Sequence, residues 1–149
     1  MDNMHSYKDG FREGVVFCFY KDGKILLEDR GKGFEVEAFF PNGSIELKDK
    51  EFGGDEYILY SLNREVNEEF NRQIIIKDKK YLGEIKVPEI NVLFYVYCIT
   101  AWDGIFPSHI IEDGEPDSVI EFFGIPEARD ILKFDSALEI LRRVESSCC

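Results

Sequence analysis

The run NVLFYVYCIT, residues 91–100, is the most apolar in the chain and constrains the fold most. It is rich in β-branched and aromatic residues and reads as a central strand, because only a strand covered by other elements can be apolar at nearly every position. Nowhere do eighteen apolar residues follow one another without a charge, so no membrane span is expected. A second run, VVFCFY at 15–20, is followed by Lys-Asp-Gly and then KILLE at 24–28. Two β-rich runs around a glycine-bearing turn predict a hairpin. The chain's 149 residues suit one domain with one core, and 44% apolar residues with 14% aromatics mark it as folded. The expected core is 14–145, with 1–13 and 146–149 as tails.

Between these strands the pattern changes period. Residues 34–40, FEVEAFF, read as a short strand, and PNGS at 41–44 as a turn. The stretch from Ile45 to the Gly53-Gly54 pair is polar and carries no clear periodicity. Leu59, Leu62, Val66 and Phe70 then recur at three- or four-residue steps, predicting a helix over 55–70 with Asp55 as N-cap and Asn71 just past its end. QIIIKD and YLGEIKV read as two strands, residues 102–118 as an acidic loop, and VIEFFGI as a strand. Pro126 opens a short helix, and FDSALEILRRVE an amphipathic one. Strands mixed with helices in this order give an α/β (α+β) class.

Charge and cysteine usage narrow the partners. A net charge of −12 repels phosphate backbones, so no nucleic-acid polymer is expected as partner. A small anion would have to arrive with its charge masked, most simply by divalent cations. Cys18 and Cys98 lie inside apolar runs and read as buried; Cys148 and Cys149 end the chain without a CxxC pair, and no zinc site is expected. The first residues lack an apolar leader segment, and the chain reads as cytoplasmic and reduced.

Residues 64–70, REVNEEF, pose the functional question. On a helix Glu65, Glu68 and Glu69 project within an arc of roughly 100° and repel one another. A solvated face would tolerate that, as most charge runs do. Glu65 and Glu69, however, flank the buried stripe, at the seam between core and solvent.

These residues resemble the Nudix (MutT-like) hydrolases, whose signature is G-x5-E-x7-R-E-U-x-E-E-x-G-U, U being bulky and aliphatic. Glu56, seven intervening residues and then Arg64-Glu65-Val66-Asn67-Glu68-Glu69 match E-x7-R-E-U-x-E-E without a gap. Gly43 stands where the signature glycine would be, and the resemblance covers roughly residues 14–145. Three departures accompany it: twelve residues separate Gly43 from Glu56 where the family has five, Asn71 replaces the late glycine, and Arg72 the final aliphatic residue.

The resemblance implies an α/β/α sandwich with a central mixed β-sheet. It also implies hydrolysis of the diphosphate bond of a nucleoside diphosphate derivative or nucleoside triphosphate, using Mg²⁺, with Mn²⁺ as a substitute. It makes Glu65 and Glu69 the leading metal ligands and Glu68 a further one, with Arg64 orienting a carboxylate. Glu56 and Gly43 become structural, the first tying loop to helix, the second allowing the turn. The general base stays open between a helix glutamate and the later acidic stretch, where Glu112, Asp113 and Glu115 are candidates and Glu112 or Glu115 is favoured. The alternative is a module of this fold that binds a nucleotide without cleaving it. Monomer and homodimer both remain open.

Overall fold

Two strands buried on both faces organise the molecule. The computed structural model describes residues 4–31 and 37–148. Strand β2 (Phe11–Lys21) and strand β7 (Val92–Asp103) run parallel, with Arg12 beside Val92 through to Phe19 beside Ile99. Successive side chains on a strand alternate between its faces. Val15, Phe17, Phe19, Leu93, Tyr95, Tyr97 and Ile99 belong to one hydrophobic cluster, and Val16, Cys18, Phe94, Val96 and Cys98 to the other. Both faces are covered, so both runs are apolar throughout.

The sheet is mixed, ordered β6-β7-β2-β3-β9-β8, with β3 (Lys24–Asp29), β6 (Ile75–Val87), β8 (His109–Glu112) and β9 (Glu115–Gly124). Short β1 (Tyr7–Lys8) and β5 (Asn42–Ser44) pair with β2, and β4 (Ala38–Phe39) with β3. Helix α2 (Tyr57–Glu69) covers one face through Leu62 and Val66, with Phe70 following it. Helices α3 (Ile125–Ile131) and α4 (Asp135–Cys148) cover the other through Ala128, Ala137, Ile140, Leu141 and Val144. This is the expected sandwich around a mixed sheet. Among the described residues no helix is long and apolar enough to cross a membrane.

Several local expectations change. Residues 4–13 are no tail: they form β1 and the first part of β2, and at the other end α4 continues to Cys148. The strand expected at 34–40 is described only at Ala38–Phe39; its earlier part, like Cys149, lies outside the described residues. PNGS is not a free turn, since Asn42–Ser44 pair with Gly14–Val16. The two strands after α2 are one, bent by register shifts near Asp78 and between Tyr81 and Glu84. The acidic loop contains β8 and the start of β9, joined by a tight turn with Asp113 at φ 51° and Gly114 at φ 79°.

The polar stretch before α2 is a helix, α1 (Leu47–Gly53), followed by a 3-10 turn (Gly54–Glu56). Its apolar residues Leu47 and Phe52 are exposed, so no buried stripe announced it. Polar contacts hold it instead. Glu13, on β2, is fully buried. It accepts hydrogen bonds from Ser6 Oγ at 2.5 Å, Tyr57 OH at 2.6 Å and Tyr95 OH at 2.5 Å, and Lys50 Nζ stands 3.2 Å from it. Burial pushes this carboxyl upward, but the four donors outweigh it and hold it below the usual range. A single carboxylate thus ties β1, α1 and α2 to the sheet. Glu13→Ala strands these donors and is expected to lower the unfolding free energy by about 2–4 kcal/mol in urea titrations.

Candidate active site

Helix α2 turns its apolar stripe to the sheet, which leaves Glu65 and Glu69 on the boundary, Glu65 facing β5. The backbone of Gly43 lies against Glu65. A Cβ built there would overlap the Glu65 carboxyl group and come within 2.6 Å of its Cγ. Gly43 is therefore required by the close approach of a side chain rather than by a turn, which corrects the role expected for it. It sits in β5.

Arg64 is the hub. Its Nε and Nη2 donate to the two oxygens of Asp49 at 2.7 and 2.8 Å, a forked geometry that fixes the guanidinium plane. Nη2 also donates to the Ser44 carbonyl at 3.1 Å and lies 3.0 Å from Glu65 Oε1, while Nη1 reaches Glu68 Oε2 at 3.0 Å. Asp49 is fully buried and also accepts from the Glu46 backbone N–H at 2.8 Å, capping α1. Burial raises the Asp49 carboxyl, but Arg64 and the Glu46 amide outweigh it and hold it below the usual range. Glu56, expected to tie loop to helix, is exposed at the 3-10 turn; the carboxylate that does the tying is Asp49. Five residues separate Gly43 from Asp49, the family interval, and fourteen separate Asp49 from Arg64. The additional residues thus lie after the anchoring carboxylate. The Gly43-x5-Asp49 interval was the signal in the sequence, masked by the ungapped match to Glu56.

Glu65 and Glu69 both favour the protonated form. Burial comes first in raising both; it brings the Glu65 carboxyl to about 7 against Arg64, and Glu69 goes well above its usual range, helped by the adjacent Glu65 charge. Glu69 is the stronger holder of a proton and the donor towards Glu65, while Glu69 Oε2 is buried without a hydrogen-bond partner. A third carboxylate not expected from the sequence acts on this pair. Glu28, on β3 and 1% exposed, accepts from Ser118 Oγ at 2.6 Å and lies 3.1 Å from Arg30 Nη2. Burial raises its carboxyl against these partners, and its proximity also disfavours charge on Glu69. Its one sequence signal is the alternation in KILLED, which puts Glu28 on the face of Leu26.

A cavity of about 770 Å³ opens over these residues, within the range of ligand sites. Glu65, Glu68 and Glu69 line it, as do Gly43 and, from the β8–β9 turn, Glu112 and Asp113; Glu115 does not. Glu112 is raised by burial and by its hydrogen bond to Asp117. Among the described residues no group of three or more Asp, Glu, His or Cys side chains is preassembled to hold a metal ion. The donors nevertheless suit a hard cation. They are all carboxylate oxygens, one of them buried and unsatisfied, and Mg²⁺ binds through one or two carboxylates while keeping several waters.

No protein-family model and no curated protein sequence matches the chain. Solved structures do. The MutT Nudix hydrolase from Burkholderia pseudomallei superposes with a TM-score of 0.65 at 20% identity, over 89% of this chain and 97% of that one. The MutT protein from Bacillus halodurans does so at 0.65 and 18%, over 91% and 82%. The C-terminal domain of mouse MUTYH, solved in complex with human PCNA, does so at 0.60 and 15%, over 90% and 87%. The chain has the Nudix fold, with strands and helices in the order that fold requires.

Two outcomes follow from this geometry. Gly43→Ala must displace Glu65, and is expected to destabilise the protein by about 1–3 kcal/mol, read as a lowered urea midpoint. In EDTA, stability linked to the raised Glu65 carboxyl is fully present below its ordinary value of 4.5 and lost as pH rises through about 7. Urea midpoints measured across that window should fall, and Glu69→Gln, a neutral donor at the same place, should flatten the profile.

Proposed function

We propose that the chain is a metal-dependent hydrolase of phosphoric anhydride bonds, acting on a small diphosphate compound of the nucleotide type. One observation carries this reading: two adjacent carboxyl groups, Glu65 and Glu69, lie together on a cavity wall, and Glu65 is held there by a guanidinium that is itself clamped by Asp49. Burying two like charges side by side is unfavourable unless something positive joins them. A proton does so when no metal is bound. A divalent cation, when bound, supplies charge neutralisation for the diphosphate and a lowered pKa for a coordinated water.

Glu65 and Glu69 are assigned as ligands for Mg²⁺ or Mn²⁺. Glu68, half exposed and also engaged with Arg64, is a further ligand or the base; Glu112 at the rim is the other candidate base or an added ligand. In the reaction the oxygen of a water forms a bond to one phosphorus. The bridging P–O bond breaks, the bridging oxygen leaves with the electron pair, and the water's proton passes to the base. Arg64 keeps the Glu65 carboxylate facing the cavity throughout. The acidic surface admits the substrate as a cation complex.

The second reading is a nucleotide-binding module that does not cleave. It is favoured by the Glu65–Glu69 hydrogen bond, which gives each of the two carboxyl groups a partner without a metal ion. Phosphate release from a nucleotide panel with Mg²⁺ or Mn²⁺ separates the two. Glu69→Gln is expected to lower turnover at least about 100-fold with an unchanged circular dichroism spectrum. Equal turnover in that variant removes Glu69 from the mechanism, and binding without release by the parent protein selects the second reading.

A further inference from the structure

Among the described residues, two arginines on the cavity wall have no carboxylate to answer them. Arg30, Arg64, Arg129, Arg142 and Arg143 each pair with an acid. Among the described residues Arg12 and Arg72 do not, and both line the cavity. Acids are not scarce, since the chain has 30 Asp and Glu against 18 Lys and Arg. The two come from different elements of the wall. Arg12 is on β2, beside β1 and the His5–Glu46 bridge that brings the first described residues against the start of α1. Arg72 follows the other end of α2, by the β8–β9 turn.

The backbone at Arg72 is unusual as well. Asn71 at φ 53° and Arg72 at φ 62° are consecutive left-handed residues, a conformation that disfavours any side chain by about 1–2 kcal/mol. The Arg72 N–H donates to the Asn67 carbonyl at 2.7 Å, which holds the reversal. The effect is to set a guanidinium on the cavity wall where the family resemblance has an aliphatic side chain. Among the described residues the cavity has no Phe, Tyr or Trp in its lining. Trp102, Phe106 and Phe122 are packed against one another instead. Among the described residues the lining offers a nucleobase no aromatic ring but that of His5 to stack on, whereas phosphates find guanidinium groups there.

We propose that Arg12 and Arg72 are phosphate-binding residues lining the cavity with the carboxylates. The chain then selects substrates with a further phosphate beyond the bridge that is cut, a run of three or more phosphates, by phosphate number rather than by base. This rests on the hydrolase reading above. One water is consumed for each P–O–P bridge opened; one product takes the water's oxygen and the other leaves with the bridging oxygen.

The test is steady-state kinetics with Mg²⁺ on one nucleoside carrying two, three and four phosphates, and on triphosphates of four bases. Inorganic tripolyphosphate serves as the binding probe in calorimetry. KM should fall about tenfold or more from two phosphates to three, with less than about threefold variation among bases. Arg12→Ala and Arg72→Ala should each raise KM for the longer compounds about tenfold while leaving kcat within a few-fold, and Arg72→Lys should recover part of the loss. Arg72→Gln, with its thermal unfolding measured, replaces the alanine variant if that one folds poorly. Strong base discrimination with indifference to phosphate number, or a KM untouched in both variants, overturns the proposal and leaves the hydrolase reading standing. Tripolyphosphate binding weakened by Arg72→Ala, without cleavage of any compound, supports the phosphate sites and refutes the hydrolase reading. Neither binding nor cleavage overturns both.

Discussion

The guanidinium of Arg64 is the contact on which the candidate site depends. It joins three pieces of chain that share no hydrophobic reason to meet: α1 through Asp49, β5 through the Ser44 carbonyl, and the next turn of α2 through Glu68. Burial works against its charge, yet Asp49 and the surrounding carboxylates hold the guanidinium more firmly protonated than in water. Such a buried pair is a poor source of net stability, because desolvation offsets much of the attraction. It is a good source of geometry, since a planar fork accepts one orientation of its partner. Glu65 inherits that orientation, wedged between Arg64 and the bare backbone of Gly43.

Below this hub the sheet provides rigidity. β2 and β7 contribute apolar side chains to both faces and leave few polar atoms to satisfy. The exceptions are informative. Glu13 and Glu28, on β2 and β3, are almost completely buried, and each has hydroxyl donors assembled around it. Glu13 fixes the segment that carries Asp49; Glu28 bears electrostatically on Glu69. Both therefore act on the two halves of the site from the sheet side, one through position and the other through charge.

Much of this architecture could be read from the chain. The runs 15–20 and 91–100 reveal central strands because their apolar character does not alternate, and the Leu62–Val66–Phe70 stripe reveals α2 because its period matches a helix. What escaped was held by polar contacts, for which periodicity gives no sign. α1 has exposed Leu47 and Phe52 and is secured by Asp49 and Lys50, so its residues looked like loop. Glu56 looked like the anchoring acid because its interval to Arg64 was right, while the folded chain uses an acid at the right interval from Gly43. Two intervals were available and only the geometry decides between them. Of the residues named for metal and catalysis, Glu65, Glu68, Glu69 and Glu112 line one cavity and Arg64 contacts Glu65 and Glu68, while Glu115 stays outside that lining.

The position of the extra residues has a thermodynamic corollary. Asp49 and Arg64 close a loop, and the entropy lost on closing a flexible loop grows only with the logarithm of its length. Doubling the intervening segment from seven residues to fourteen adds about 0.6 kcal/mol. A single hydrogen bond between charged partners contributes about 1.5–3 kcal/mol, and this closure has two. The added length is thus inexpensive in closure entropy, and the chain takes it up in the rest of α1, the 3-10 turn and the first turns of α2.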